Sequence, residues 1–223
     1  MIKAAFPAAA ASNSAVFEIP YGSIPRPVDG NEVPALRWID LTDEKGTHGL
    51  GLLNDSKYGF DVRGNVLRIS VVHGPTDPDP EADRGEQELL YSLYPHTGGW
   101  VEAETFRRGY ELNSPLLARA GMAHPGKWPA EQSFVRVTPG NVILSTLKKE
   151  AGYFNRAVVL RVYETSGKET EAVVELPITF AAVETNLIED PLEKVAVDGK
   201  MLRFKVKPFE IKTFRITPRR RSG

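Results

Sequence analysis

The 223-residue sequence predicts an all-β protein built from antiparallel β-sandwiches. Three observations predict it. Apolar and polar side chains alternate with a period of two through most of the chain, while helical spacing hardly appears. Clusters of turn-forming residues recur between the alternating runs. A stretch from Asn113 to Gln132, broken by Pro115, Gly121, Pro125, Gly126 and Pro129, separates two such regions. The length suits one large core or two small ones. The expected division is a larger sandwich over residues 1–129 and a smaller one over 130–223, with the join near Lys127 to Gln132.

In chain order, Val16 to Ile19, Leu36 to Leu41 and Val66 to Val71 each place apolar side chains on one face and polar ones on the other, and read as half-buried strands. Asp29-Gly30-Asn31, Glu44-Lys45-Gly46, Arg63-Gly64-Asn65 and the proline-rich Gly74 to Pro80 punctuate them. Gly46, Gly49 and Gly51 read as a turn running into a strand. Gly85 to Tyr94 and His96 to Tyr110 are expected as long strands, the second carrying Trp100, Phe106 and Tyr110. A short helical turn is expected around Leu116 to Ala120. Beyond the break, seven short strands are expected: Phe134 to Val137, Val142 to Lys148, Arg156 to Thr165, Thr170 to Thr179, Ala181 to Ile188, Met201 to Val206 and Ile211 to Ile216. With hairpin signals at Ser166-Gly167-Lys168 and Asp198-Gly199-Lys200, they match a small immunoglobulin-like sandwich. The basic tail Pro218-Arg219-Arg220-Arg221 reads as a solvated end, with partner binding as the other reading.

Composition, 41% hydrophobic and 26% charged, is that of an ordinary folded protein. A net charge of −1 gives no global field to attract nucleic acid or an anionic membrane, so neither is expected as a partner. No run approaches the roughly 20 apolar residues of a membrane-spanning helix. Met1 to Ser14 lacks the basic start and apolar core of a signal peptide and reads as chain. The absence of cysteine excludes disulfides and thiolate zinc sites. It fits a reducing compartment without fixing one, so cytoplasmic is the expected location.

Nucleophile elbows, Walker loops and dinucleotide fingerprints are absent. His48, His73, His96 and His124 are scattered singly and read as surface or packing residues. The acidic run Asp77 to Glu86 has carboxylates enough to suggest calcium, but lacks the central glycine and fixed spacing of a calcium loop. It reads first as a proline-stiffened connection. Within it, Arg84 beside Asp83 is a candidate sugar contact, because a guanidinium held by carboxylates is a preorganised donor to hydroxyls. Asn54-Asp55-Ser56 is formally a glycosylation acceptor, and reads first as a turn closing a strand. Trp38, Trp100 and Trp128 form a sugar-stacking platform if they share a solvent face; core packing is the default.

Four stretches carry a resemblance: Gly51 to Val62, Asn65 to Ser70, Pro78 to Glu86 and Tyr91 to His96, flanked by Lys3 to Pro7, Phe17 to Gly22, Pro34 to Trp38, Tyr110 to Asn113 and Val142 to Lys149. In this order they resemble the C-terminal region of glycoside hydrolase family 38 α-mannosidases of bacterial and fungal type. The resemblance implies that the first sandwich is part of a galactose-mutarotase-like supersandwich beginning upstream, with exposed edge strands. It implies a retaining hydrolysis of terminal α-mannosides by an N-terminal catalytic domain, which binds zinc through a His-x-Asp pair, a nucleophilic aspartate and a further histidine. Here each histidine is followed two residues later by Leu50, Pro75, Gly98 or Gly126, so no catalytic residue, metal ligand or cofactor is expected in this chain. The implied partners are the catalytic domain and an α-mannoside glycan, with Arg84 as the substrate-side contact and Asp83 as its orienting partner. The rivals are a stand-alone carbohydrate-binding module and a sandwich with no ligand.

Overall fold

Period-two alternation becomes strand pairing almost throughout the computed structural model, which describes residues 1–123, 125–151 and 157–219. The expectations that fall on His124, Arg156, Arg220 and Arg221 lie outside these residues. The chain divides into two compact units, Met1–Ala118 and Arg119–Gly223.

In the first unit the strands are β1 (Ile2–Pro7), β2 (Ser14–Ile19), β3 (Gly22–Pro27), β4 (Val33–Pro34), β5 (Trp38–Thr42), β6 (His48–Asn54), β7 (Gly59–Arg63), β8 (Val66–Val72) and β9 (Tyr91–Thr97). They form a four-stranded sheet, β1-β8-β7-β4, and a five-stranded sheet, β3-β2-β5-β6-β9, with every pairing antiparallel. The β7–β8 hairpin turns in two residues between paired Arg63 and Val66, and Gly64 takes φ 59° there, a conformation that favours glycine. Phe17, Ile39, Leu41 and Leu52 pack with Phe60, Val62, Leu67 and Ile69 in one core cluster.

The other face of the five-stranded sheet is also covered, which is why β5 is buried at Trp38, Ile39, Asp40 and Leu41 alike. Its cover includes helix α1 (Thr105–Asn113), where a long strand through Tyr110 was expected. Strand β9 stops at Thr97, and Gly98 (φ 75°) turns the chain out of the sheet. Thr105, Phe106 and Gly109 are the buried residues of α1, a one-and-four spacing that serves a helix and not a strand. Gly109 sits against Trp38, where a Cβ would come within 2.8 Å of Cδ1. The segment Gly85 to Leu90, also expected as strand, is loop, and Leu116 to Ala120 is not helical: Leu116 and Leu117 are exposed and have no apolar face to bury.

The second unit holds nine strands among the described residues, where seven were expected: β10 (Arg136–Thr138), β11 (Val142–Lys149), β12 (Val158–Glu164), β13 (Thr170–Glu175), β14 (Phe180–Thr185), β15 (Pro191–Val195), β16 (Val197–Asp198), β17 (Met201–Val206) and β18 (Ile211–Pro218). The two additions, β15 and β16, are largely exposed edge strands, so the apolar alternation that reveals a half-buried strand is weak in them. The sheets run β10-β13-β17-β16 and β11-β12-β18-β14-β15. Leu160, Val162, Phe214 and Ile216 from one pack with Ala172, Val174, Leu202 and Val206 from the other. Glu164, fully buried at the end of β12, accepts hydrogen bonds from the amides of Ser166 (2.7 Å), Gly167 (2.7 Å), Lys168 (3.2 Å) and Phe209 (3.1 Å) and from Asn141 Nδ2 (2.9 Å). One carboxylate thereby ties two turns together.

Candidate functional site

The acidic run lies in the loop joining β8 to β9, and it is built on its own carboxylates. Prolines at 75, 78 and 80 remove amide donors, and side-chain carboxylates hold several of the amides that remain. Asp83 Oδ2 accepts hydrogen bonds from the amides of His73 (3.0 Å) and Gly74 (2.9 Å). Those bonds, Gly74's first, hold the Asp83 carboxyl below its usual range. Asp83 itself is left-handed, at φ 63°, as are the flanking Gly74 (φ 63°) and Gly85 (φ 102°). Asp79 Oδ1 accepts from the Glu81 amide at 2.9 Å, and the Arg84 amide donates to the Glu81 carbonyl at 3.1 Å.

Arg84 Nη1 donates to Glu81 Oε1 at 2.9 Å, with the two side chains 69% and 75% exposed. The carboxylate on Arg84 is therefore Glu81, while the expected orienting partner, Asp83, uses its Oδ2 on backbone. The guanidinium stands in solvent, free to exchange this weak exposed pair for another acceptor. At the far end of the loop, Leu90 N donates to Asp55 Oδ1 and Asp55 N donates to the Leu90 carbonyl, both at 3.2 Å. Asp55 follows Asn54, whose Oδ1 accepts from the amides of Ser56 (3.0 Å) and Lys57 (2.6 Å) and whose Nδ2 donates to Leu36 O (2.9 Å). Asn54 is 1% exposed, so its amide serves the turn and is closed to a glycan.

A second constellation escaped sequence reasoning. Asp40, fully buried on β5, accepts from His96 Nε2, Thr105 Oγ1 and Thr42 Oγ1, each at 2.8 Å, and the His96 side chain is 3% exposed. Burial by itself lowers the His96 pKa; the hydrogen bond and charge of Asp40 outweigh it, leaving the imidazole raised. The residues come from β5, β9 and α1, 56 and 65 positions apart, a separation that no local pattern encodes. The Asp40–His96 pair spans the sheet from β5 to its edge strand, and the Thr105 hydroxyl joins it to the helix covering that face. Among the described residues no group of three or more His, Cys, Asp or Glu is placed to hold a metal ion. The tryptophans do not make one platform: Trp38 is fully buried and stacks on Trp100 with centroids 5.3 Å apart, whereas Trp128 is 66% exposed and meets Phe134. No helix among the described residues is long and apolar enough to cross a membrane.

Comparison with known proteins places the chain in a family. The family description "Glycosyl hydrolases family 38 C-terminal domain" matches residues 1–81, and "Glycosyl hydrolases family 38 C-terminal beta sandwich domain" matches residues 141–214. Alpha-mannosidase 2C1 of Mus musculus is 37% identical over 95% of this chain, and alpha-mannosidase G of Dictyostelium discoideum 32% identical over 92%. The chain spans about a fifth of the length of these relatives, 21% and 20%. The crystal structure of an alpha-mannosidase from Enterococcus faecalis V583 shares the fold, with a TM-score of 0.79 at 18% identity over 96% of this chain and 25% of that one. Two domain descriptions in series, and relatives aligned along nearly the whole chain, show that it belongs to the C-terminal region of glycosyl hydrolase family 38.

Proposed function

We propose that this chain is the non-catalytic C-terminal β region of a retaining α-mannosidase acting on terminal α-D-mannosides. It packs on the catalytic domain and completes the substrate cleft, with Arg84 as the substrate-side contact. The observation that carries the reading is the collinear match to both family 38 C-terminal domains by a chain one fifth as long as its α-mannosidase relatives. Zinc belongs, on this reading, to the catalytic domain; the described residues offer no set of ligands for it, and no step is routed through them. The exposed Arg84 guanidinium supports a role as donor to a sugar hydroxyl or to an acidic group across the cleft. Exposed Leu90, Tyr91 and Leu93, which follow the loop onto edge strand β9, support a docking role for this flank. The burial of Trp38 removes one form of the carbohydrate-binding rival, a solvent-facing strip shared by the three tryptophans.

The test is hydrolysis of a chromogenic α-mannoside with added zinc, by this chain alone and mixed with its catalytic region. Activity confined to the mixture supports the reading. Activity from this chain alone overturns it. In the complete enzyme, Arg84→Ala is expected to lower kcat/KM on a disaccharide or longer glycan by about tenfold, the size of one lost charged hydrogen bond, without altering the melting temperature.

A further inference from the structure

The two carboxyl-bearing residues around Arg84 do different work. Glu81 touches the guanidinium, in a pair open to solvent. Asp83 bonds across the loop to the start of the segment, at His73 and Gly74, the first residues after β8. Two glycines with positive φ, Gly74 and Gly85, bracket the ten residues between, so the loop has a soft point at each end. The Asp83 carboxylate spans the first of these and fixes it from the other side. Arg84 is the next residue in the chain, and its amide is bonded to the Glu81 carbonyl. Backbone geometry at Asp83 therefore sets the direction in which Arg84 leaves the loop.

We propose that Asp83 is a positioning residue, a clasp closing the loop on its own backbone so that Arg84 is presented to the mannoside in one orientation. This rests on the reading of Arg84 as the substrate-side contact and gives Asp83 a role through Arg84 in place of one on the sugar. The clasp works by restricting the loop before binding, so that little ordering remains to be done when substrate arrives. The depressed Asp83 carboxyl agrees with a group kept ionised by amides it must hold.

The test uses the complete enzyme and four variants: Arg84→Ala, Asp83→Gly, Asp83→Asn and the Arg84→Ala/Asp83→Gly double variant. Glycine keeps the left-handed backbone and loses the clasp; asparagine tolerates that backbone and still offers an amide-accepting oxygen. With a mannose disaccharide as substrate, Asp83→Gly is expected to lower kcat/KM about 10-fold or more, with Asp83→Asn restoring most of it and the melting temperature unchanged. In the Arg84→Ala background, Asp83→Gly is expected to cost nothing further, because its effect passes through the absent guanidinium. An equal loss in both backgrounds overturns the inference, since Asp83 then acts without Arg84. A loss in Arg84→Ala with none in Asp83→Gly also overturns it while leaving the Arg84 reading intact. Full activity of Arg84→Ala overturns the Arg84 reading and the inference built on it.

Discussion

At the scale of single residues, the charged groups that matter most to the first unit are those removed from water. Asp40 and His96 are nearly wholly buried, and their attraction offsets a desolvation cost that neither bears alone. His96→Ala leaves the Asp40 carboxylate without its cation and is expected to destabilise the unit by about 3–5 kcal/mol, read from urea unfolding. The pair also sets a pH dependence. An imidazole raised above its ordinary value of 6.5 binds its proton more tightly folded than unfolded, so the stabilisation is complete below that value. It is lost as the pH rises through the folded-state value. The urea midpoint is therefore expected to fall as the pH rises above 6.5, and this slope is expected to be missing in His96→Ala; the same slope in both proteins would assign it to another group.

At the scale of elements, helix α1 rests on the sheet at a glycine. Alanine gains about 1 kcal/mol of helix propensity at such a position, but a Cβ 2.8 Å from the buried Trp38 ring meets an atom that cannot move aside. Overpacking typically costs about 1–3 kcal/mol, so Gly109→Ala is expected to lower stability by about 1 kcal/mol, measurable as a drop in melting temperature. A gain in stability would show that α1 can slide away from Trp38. In the second unit the corresponding point is Glu164. Burial by itself raises its pKa, and the bonds from Ser166, Asn141 and the turn amides hold it below the ordinary value. Removing it in Glu164→Ala strands several amides at once and is expected to cost at least about 3 kcal/mol. A group held low stabilises at neutral pH and loses that contribution as acid carries the solution through its folded-state pKa. The wild type is therefore expected to lose more stability than Glu164→Ala on going from pH 7 to pH 3, roughly across the carboxylate range.

At the scale of the molecule, each unit has two antiparallel sheets and a core cluster drawn from its own residues. A core of this kind supports independent folding in a domain of about 100 residues. Residues 119–223 produced alone are expected to unfold in a single cooperative transition, with dispersed amide resonances before it. A broad, non-cooperative melt would show that the second sandwich depends on the first.

Much of this was legible beforehand because a half-buried strand writes its burial into its neighbours. Phe17, Ile39, Leu41, Leu67 and Ile69 alternate with polar positions, and the structure turns them into one core. Asn54 reads as a turn because its side chain is short enough to bond its own backbone, as it does at Ser56 and Lys57. Exposed strands β15 and β16 left little apolar alternation, and α1 was obscured because its aromatic residues suit a strand equally well. The sequence by itself determined the β class, the family and the residues of the Arg84 loop, since these rest on local pattern and on motif order. Only the tertiary structure decided that Glu81 holds Arg84, that Asp83 bonds the backbone, and that Asp40 meets His96 and Thr105. These are choices of partner among side chains and amides brought together by the fold, and hydrogen-bond geometry at about 3 Å cannot be read from spacing along a chain.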